Sequence, residues 1–252
     1  MRFQDKTAVI TGGAGNLGLA VARRLIAEGA RVLLVDLNEP QLQQAAAAIG
    51  SERLATFTAD VTSAASVQAY AKRAAELYGR VDVFFNNAGI EGPNAPIGEF
   101  PEDAFDKVMQ VNVKGVFLGM KYLPPHMRDG GSVIITSSIA GLMASGAFVA
   151  YTASKHAVIG IMRDTAVDLA PRRIRVNTVH PGFVKSEMLL RILRRLQPDT
   201  PDENLLQQFG EQTRLGRCIT PEEIADMVAF LGSDESRMAT GQTFVVDAGT
   251  LL

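Results

Sequence analysis

Tyr151 and Lys155 stand four residues apart in Tyr151-Thr152-Ala153-Ser154-Lys155. In a helix that spacing sends both side chains from one face, so a phenol and an ammonium become neighbours. A free phenol titrates near 10, and a proton-transfer group working at pH 7 to 8 needs its phenolate favoured by roughly two to three pH units. An ammonium ~5 Å away, at an effective dielectric of ~20, supplies on the order of 3 kcal/mol, or about two of those units. Taken alone, such a pair is also an ordinary feature of a helix surface.

A second constellation opens the chain. A strand-like run ends in Thr11-Gly12-Gly13-Ala14-Gly15-Asn16-Leu17-Gly18, and a helical pattern begins inside it. Glycines there let backbone N–H groups approach a pyrophosphate, and the helix N-terminus adds partial positive charge. A tight turn would use glycines too, but strand, glycine turn, helix and a downstream acid together point to a dinucleotide. The acid is Asp36, 18 residues beyond Gly18. Its carboxylate can accept ribose hydroxyls and would repel a 2'-phosphate, which favours NAD over NADP. The competing role for Asp36 is a cap or turn before Asn38-Glu39-Pro40. Asp60-Val61 closes the third strand at a place suited to an adenine amino group, although Asp60 can also serve as a helix cap with Thr62 and Ser63.

The elements that must position these groups alternate along the chain. β-rich runs at 7–11, 31–36 and 54–59 are followed by helical periods at 17–28, 39–49 and 64–78. The pattern continues with a strand at 81–86, one long helix from about 101 to 127, a strand at 132–137, a helix at 148–169 and strands at 174–179 and 243–246. Strands nearly continuous in Val, Ile, Leu and Phe are expected where helices cover both faces. The pattern predicts an α/β fold: a doubly wound, Rossmann-type, mostly parallel seven-stranded sheet forming a single domain over 1–252. Gly29 and Gly79 punctuate helix ends, and Thr220-Pro221-Glu222-Glu223 carries a helix-start signature. The rhythm breaks between Lys185 and Leu215, where an amphipathic segment (188–196) and a polar stretch (198–204) read as a helical lid over the sheet's C-terminal edge.

With the strands in place, Ser138 ends the fifth strand 13 residues before Tyr151, Asn86-Asn87-Ala88-Gly89 ends the fourth, and Asn112 lies in the long helix. Together with Thr11 to Gly18, these residues resemble the short-chain dehydrogenase/reductase family over essentially the whole chain. The resemblance implies that Ser138 hydrogen-bonds the substrate oxygen, Tyr151 exchanges its proton, and Lys155 holds the cofactor ribose and lowers the phenol pKa. It further implies that Asn112 holds a water linking Lys155 to solvent. Asn87, Ala88 and Gly89 would line the adenosine ribose, and Pro181, Gly182, Val184 and Ser186 would bind the nicotinamide amide. Two positions depart from the family pattern: Asn16 replaces a usual glycine, and Asp247-Ala248-Gly249 stands where Asp-Gly-Gly is common. Asn tolerates left-handed dihedrals, so Asn16 is compatible with a tight turn.

The remaining features narrow the function classes. The 252 residues carry Lys+Arg 25 against Asp+Glu 27, with 47% hydrophobic and 21% charged residues. That balance offers nothing to attract nucleic acid or an anionic membrane. The single Cys218 excludes an intramolecular disulfide and suits a reducing, cytoplasmic setting. His126, His156 and His180 lack companions at ligand spacing, so no metal site is expected. Arg191, Arg194 and Arg195 read as the solvated face of an amphipathic helix, with an anion grip as the alternative. The substrate pocket is expected from Ile90, Glu91, Leu142, Met143, Phe148, Phe183, Met188 and Leu189 beside Ser138 and Tyr151, a mostly apolar set. These expectations describe an NAD-dependent dehydrogenase or reductase of a small to medium, largely apolar secondary alcohol or ketone. A 3-oxoacyl thioester reductase and a non-catalytic NAD-sensing protein are the alternatives. By family likeness the protein forms a homotetramer, with Leu251 and Leu252 easier to bury at an interface than in water.

Overall fold

The computed structural model describes residues 1–144 and 146–252. In chain order its elements are β1 (Thr7–Thr11), α1 (Asn16–Ala27), β2 (Arg31–Asp36), α2 (Glu39–Ile49), β3 (Leu54–Thr58), α3 (Ala64–Tyr78) and β4 (Val81–Asn86). The second half adds α4 (Glu102–Met109), α5 (Gly115–Tyr122), β5 (Met127–Thr136), α6 (Val149–Leu169), β6 (Arg175–Pro181), α7 (Glu187–Leu196), α8 (Asp202–Glu211), α9 (Pro221–Gly232) and β7 (Thr243–Val246).

All seven strands pair in parallel in the order β3-β2-β1-β4-β5-β6-β7. The chain winds outward from β1 in one direction and from β4 in the other, so a crevice opens at their C-terminal ends. Alternation along the strands feeds two apolar layers: Val9, Leu33, Phe84 and Val133 face one, and Ile10, Leu34, Phe85 and Ile134 face the other. Burial on both faces explains why these strands lack an apolar/polar alternation. The expected doubly wound α/β fold is what the chain adopts. Among the described residues, no helix is long and apolar enough to cross a membrane.

Three local expectations are corrected. The single long helix expected over 101–127 instead runs from Glu102 to Tyr122 as α4 and α5 with a π-helical turn at Gln110–Lys114 between them, and a 3-10 turn follows at Pro124–His126. The fifth strand begins at Met127 rather than Ser132, extended through Gly130 and Gly131 by pairing of Met127 with Val81 across a register shift. The polar stretch after α7 leads into α8, whose apolar face (Leu205, Leu206, Phe209) packs on Leu189 and Leu193. By contrast, Thr220 and Glu223 form the complete reciprocal cap that their spacing predicts.

Candidate active site

The first two turns of α6 present Tyr151 and Lys155 at the C-terminal edge of the sheet, beside the end of β5. Lys155 Nζ donates to the Thr136 carbonyl at 2.9 Å and sits 5.5 Å from the centre of the Tyr151 ring. Ser137 Oγ donates to the Lys155 carbonyl at 2.8 Å, tying helix to strand. The Ser138 hydroxyl accepts from the Ala140 N–H at 3.1 Å. Tyr151 and Lys155 on α6 and Ser138 just past β5 thus lie at the same edge of the sheet.

Their protonation reflects burial. Desolvation pushes the Tyr151 phenol up to about 12, the Ser138 hydroxyl pulls it partway back, and the Glu91 carboxylate raises it further. Desolvation pushes Lys155 down to about 8. The expected lowering of the phenol by Lys155 is thus not the dominant effect in the protein alone, because an apolar surrounding penalises both charged forms.

Asn112 lies buried in the π-helical turn. Its carbonyl accepts from the Ile90 N–H at 2.8 Å, and its amide donates to the Ile90 carbonyl at 2.9 Å and to Ser154 Oγ at 3.0 Å. Ser154 Oγ in turn donates to the Tyr151 carbonyl at 2.7 Å. The Asn112 side chain thus clamps the β4 exit against α6. A Cβ on Gly89 would lie 3.3 Å from Asn112 Oδ1 and 3.5 Å from Lys155 Nζ, so the bare glycine lets these groups flank the loop. Asn87 donates to the Thr11 carbonyl at 3.0 Å and accepts from Thr136 Oγ1 at 2.9 Å, joining the glycine-rich turn to β5. Ala88 N donates to Thr11 Oγ1 at 3.1 Å.

The crevice suits a dinucleotide. Gly12 has φ of 65°, and a Cβ on Gly18 would run into the Gly12 carbonyl, so α1 starts against bare backbone. No side chain caps the first turn of α1, which leaves N–H groups of Asn16, Leu17 and Gly18 for an anion. Asn16 is not left-handed; it is the first residue of α1, so the dihedral tolerance invoked for it is not used. Asp36 Oδ2 accepts from the Ala14 N–H at 3.0 Å and Oδ1 from the Asn38 N–H at 3.2 Å, bracing the turn from the end of β2. Asp60 Oδ1 accepts from both the N–H and the hydroxyl of Thr62 at 2.8 Å, the turn role that competed with adenine recognition. Val61 lies against Gly115 of α5.

On the far side, Gly182 N donates to the Val246 carbonyl at 2.9 Å, Val184 bridges Ile219, and Ser186 Oγ caps α7 by accepting from Leu189 N at 3.3 Å. Leu142 and Met143 are exposed, Ile90, Phe148, Phe183 and Met188 half-buried, and Leu189 buried. Glu91 is the exception among these apolar side chains: its buried carboxylate pairs with Arg191 at 3.0 Å and Arg195 at 3.6 Å. Arg194 pairs with Asp202. The three arginines are a paired face rather than a merely solvated one.

His180 carries a role that sequence reading missed. It is fully buried at the end of β6, with Nδ1 2.9 Å from the Ser138 carbonyl and Nε2 2.8 Å from Thr178 Oγ1. The carbonyl only accepts, so Nδ1 carries the proton and Nε2 accepts from the threonine hydroxyl. Burial keeps the ring's pKa below its usual range, consistent with a neutral imidazole. The signal was available: Thr178 and His180 at i, i+2 of one strand share a face, next to the end of β5.

Known proteins resemble the chain over nearly its whole length. A family model described as enoyl-(acyl carrier protein) reductase matches residues 12–250. Levodione reductase of Leifsonia aquatica is 38% identical over 254 residues, covering 98% of this chain and 95% of that protein. The crystal structure of levodione reductase superposes with a TM-score of 0.94 at 37% identity, covering 98% of both chains. NAD+-bound xylitol dehydrogenase follows with a TM-score of 0.92 at 32% identity, covering 99% of this chain and 100% of that one. Carveol dehydrogenase from Mycobacterium avium, in complex with NAD, gives 0.93 at 30% identity and 99% coverage of both. On fold, site and likeness together, the chain belongs to the short-chain dehydrogenase/reductase family of oxidoreductases.

Proposed function

We propose that the protein is an NAD-dependent dehydrogenase or reductase of secondary alcohols and ketones, with Tyr151 as the group that exchanges a proton with the substrate oxygen. The observation that carries this reading is that Lys155 Nζ lies 5.5 Å from the centre of the Tyr151 ring and bonds the Thr136 carbonyl at the end of β5, two residues before Ser138. The Ser138 hydroxyl donates to the substrate oxygen and fixes it against the phenol. For carbonyl reduction Tyr151 gives its proton to that oxygen, and Lys155, charged below about pH 8, stabilises the phenolate left behind. For alcohol oxidation the proton moves the other way. NAD supplies the hydride acceptor or donor, held by Gly12, the first turn of α1, Asp36, the 87–89 segment, Lys155 and the 181–186 segment.

The mostly apolar residues expected to line the pocket favour a small to medium, largely apolar substrate covered by α7 and α8, which we read as the lid. The thioester-reductase alternative is disfavoured because Arg191, Arg194 and Arg195 already hold carboxylates of the protein itself. Exposed Phe117, Val167, Val245 and Leu252 support assembly through helices and the β7 edge into a homotetramer. The test of the proposal is absorbance at the reduced-nicotinamide band, with NAD or NADP and a panel of secondary alcohols and ketones. Turnover with NAD is expected; tight NAD binding without turnover of any compound would instead favour a nucleotide sensor.

Two substitutions probe supporting parts. Asp36→Ala removes the charge that repels a 2'-phosphate, and the ratio of kcat/KM for NAD over NADP is expected to fall about tenfold or more. An unchanged ratio would take cofactor choice away from Asp36. His180→Ala removes one hydrogen bond from the Ser138 carbonyl, which keeps the Gly141 N–H, and one from the Thr178 hydroxyl, which keeps the Gln242 carbonyl, at about 0.5 to 1.5 kcal/mol each. Urea unfolding is expected to show that loss together with reduced turnover, and a variant as stable and active as the parent would refute the support role.

A further inference from the structure

Asn16 stands where the family's turn usually has glycine, yet its backbone is ordinary helix, so the departure is not explained by dihedral need. Its side chain reaches across the crevice instead. The Glu187 N–H donates to Asn16 Oδ1 at 3.1 Å, linking residues 171 positions apart. Glu187 is the first residue of α7, and its N–H has no acceptor within its own helix. Ser186 satisfies the Leu189 N–H locally, while Asn16 satisfies the Glu187 N–H from another element. Glycine at 16 would offer no acceptor.

The middle of α7 is fastened separately, where Arg191 and Arg195 reach the buried Glu91 carboxylate at the exit of β4. Between these two anchors α7 carries Met188 and Leu189. We infer that Asn16 is a positioning residue that caps α7 in trans, holding the substrate-side helix in place from the dinucleotide turn before any ligand binds. The turn that receives the cofactor and the helix that covers the substrate thereby share one hydrogen bond, and ordering α7 in advance spares later binding that entropic cost. The inference concerns the protein alone and stands apart from the chemistry assigned to Tyr151.

Hydrogen exchange of the ligand-free protein, read over residues 188–196, tests it. Asn16→Ala is expected to raise exchange of these amides about fivefold, the effect of one lost hydrogen bond, with β1 and α9 unchanged. Asn16→Asp keeps an oxygen acceptor and is expected to exchange at the parental rate. Glu187→Pro removes the donor from the other side; proline is at home at the first helical position, and Ser186 is already extended (φ −146°, ψ 160°) as a residue before proline requires. In the Glu187→Pro background, Asn16→Ala is expected to add nothing. Parental exchange in Asn16→Ala, or the same rise with and without the Glu187 N–H, would overturn the inference. Should Asn16→Ala fail to fold, Glu187→Pro alone reads the same bond from the donor side: exchange over 188–196 is expected to rise about fivefold, and parental exchange in that variant would overturn the inference.

Discussion

Tyr151→Phe is expected to bind NAD as the parent does and to lose turnover by a factor of 10² to 10⁴, about the range for removal of a proton-transfer group. The phenol is the one group of the cluster whose loss removes the transferable proton itself while leaving the ring's packing in α6 intact. Ser138 and Lys155 would remain in place, because their other anchors are the Ala140 N–H and the Thr136 carbonyl. Stopped-flow binding of NAD and steady-state turnover separate the two effects. Near-parental turnover in this variant would remove Tyr151 from the mechanism.

Lys155→Met is expected to do two opposite things: abolish most turnover and stabilise the ligand-free protein. Burial holds the ammonium's pKa at about 8, below its ordinary 10.5, and at pH 7 that displacement costs the fold ~3 kcal/mol. Losing the bond to the Thr136 carbonyl returns about 1 to 2 kcal/mol of that. A net gain of about 1 to 2 kcal/mol at pH 7 follows. The sign fixes its pH dependence: the penalty is complete below about 8, declines above that as the folded chain's lysine gives up its proton while the unfolded chain's keeps it, and is gone above about 10.5. Thermal unfolding across pH 6 to 11 checks this, and a variant less stable than the parent at pH 7 would contradict it. In the parent, carbonyl reduction is expected to fall as pH rises through about 8, since the charge that steadies the phenolate is then lost.

Much of this molecule was legible before any coordinates. Unbroken apolar strands and a 3.6-residue period gave the doubly wound sheet, because both signals come from the same burial on two faces. The candidate site could be read because a strand end and a helix face confine Ser138, Tyr151 and Lys155 to one edge. What escaped were features created by contacts distant in sequence. Asn112 had a helical pattern around it, and only its triple hydrogen bonding to Ile90 and Ser154 shows the π-helical turn in use. The pairing of Glu91 with Arg191 spans 100 residues, and that of Asn16 with Glu187 spans 171; neither leaves a local pattern. The direction of the Tyr151 shift was misjudged because charge proximity can be estimated from spacing, whereas desolvation depends on what the whole fold packs around the phenol.

The most direct measurement is a crystal structure of Tyr151→Phe with NAD and a ketone selected by the absorbance panel. The carbonyl oxygen is expected within about 3 Å of Ser138 Oγ and about 3 Å from where the phenol oxygen stood, with the nicotinamide ring on the crevice side. A ketone bound with its oxygen turned away from Ser138, or a nicotinamide outside the crevice between β1 and β4, would contradict the proposed site.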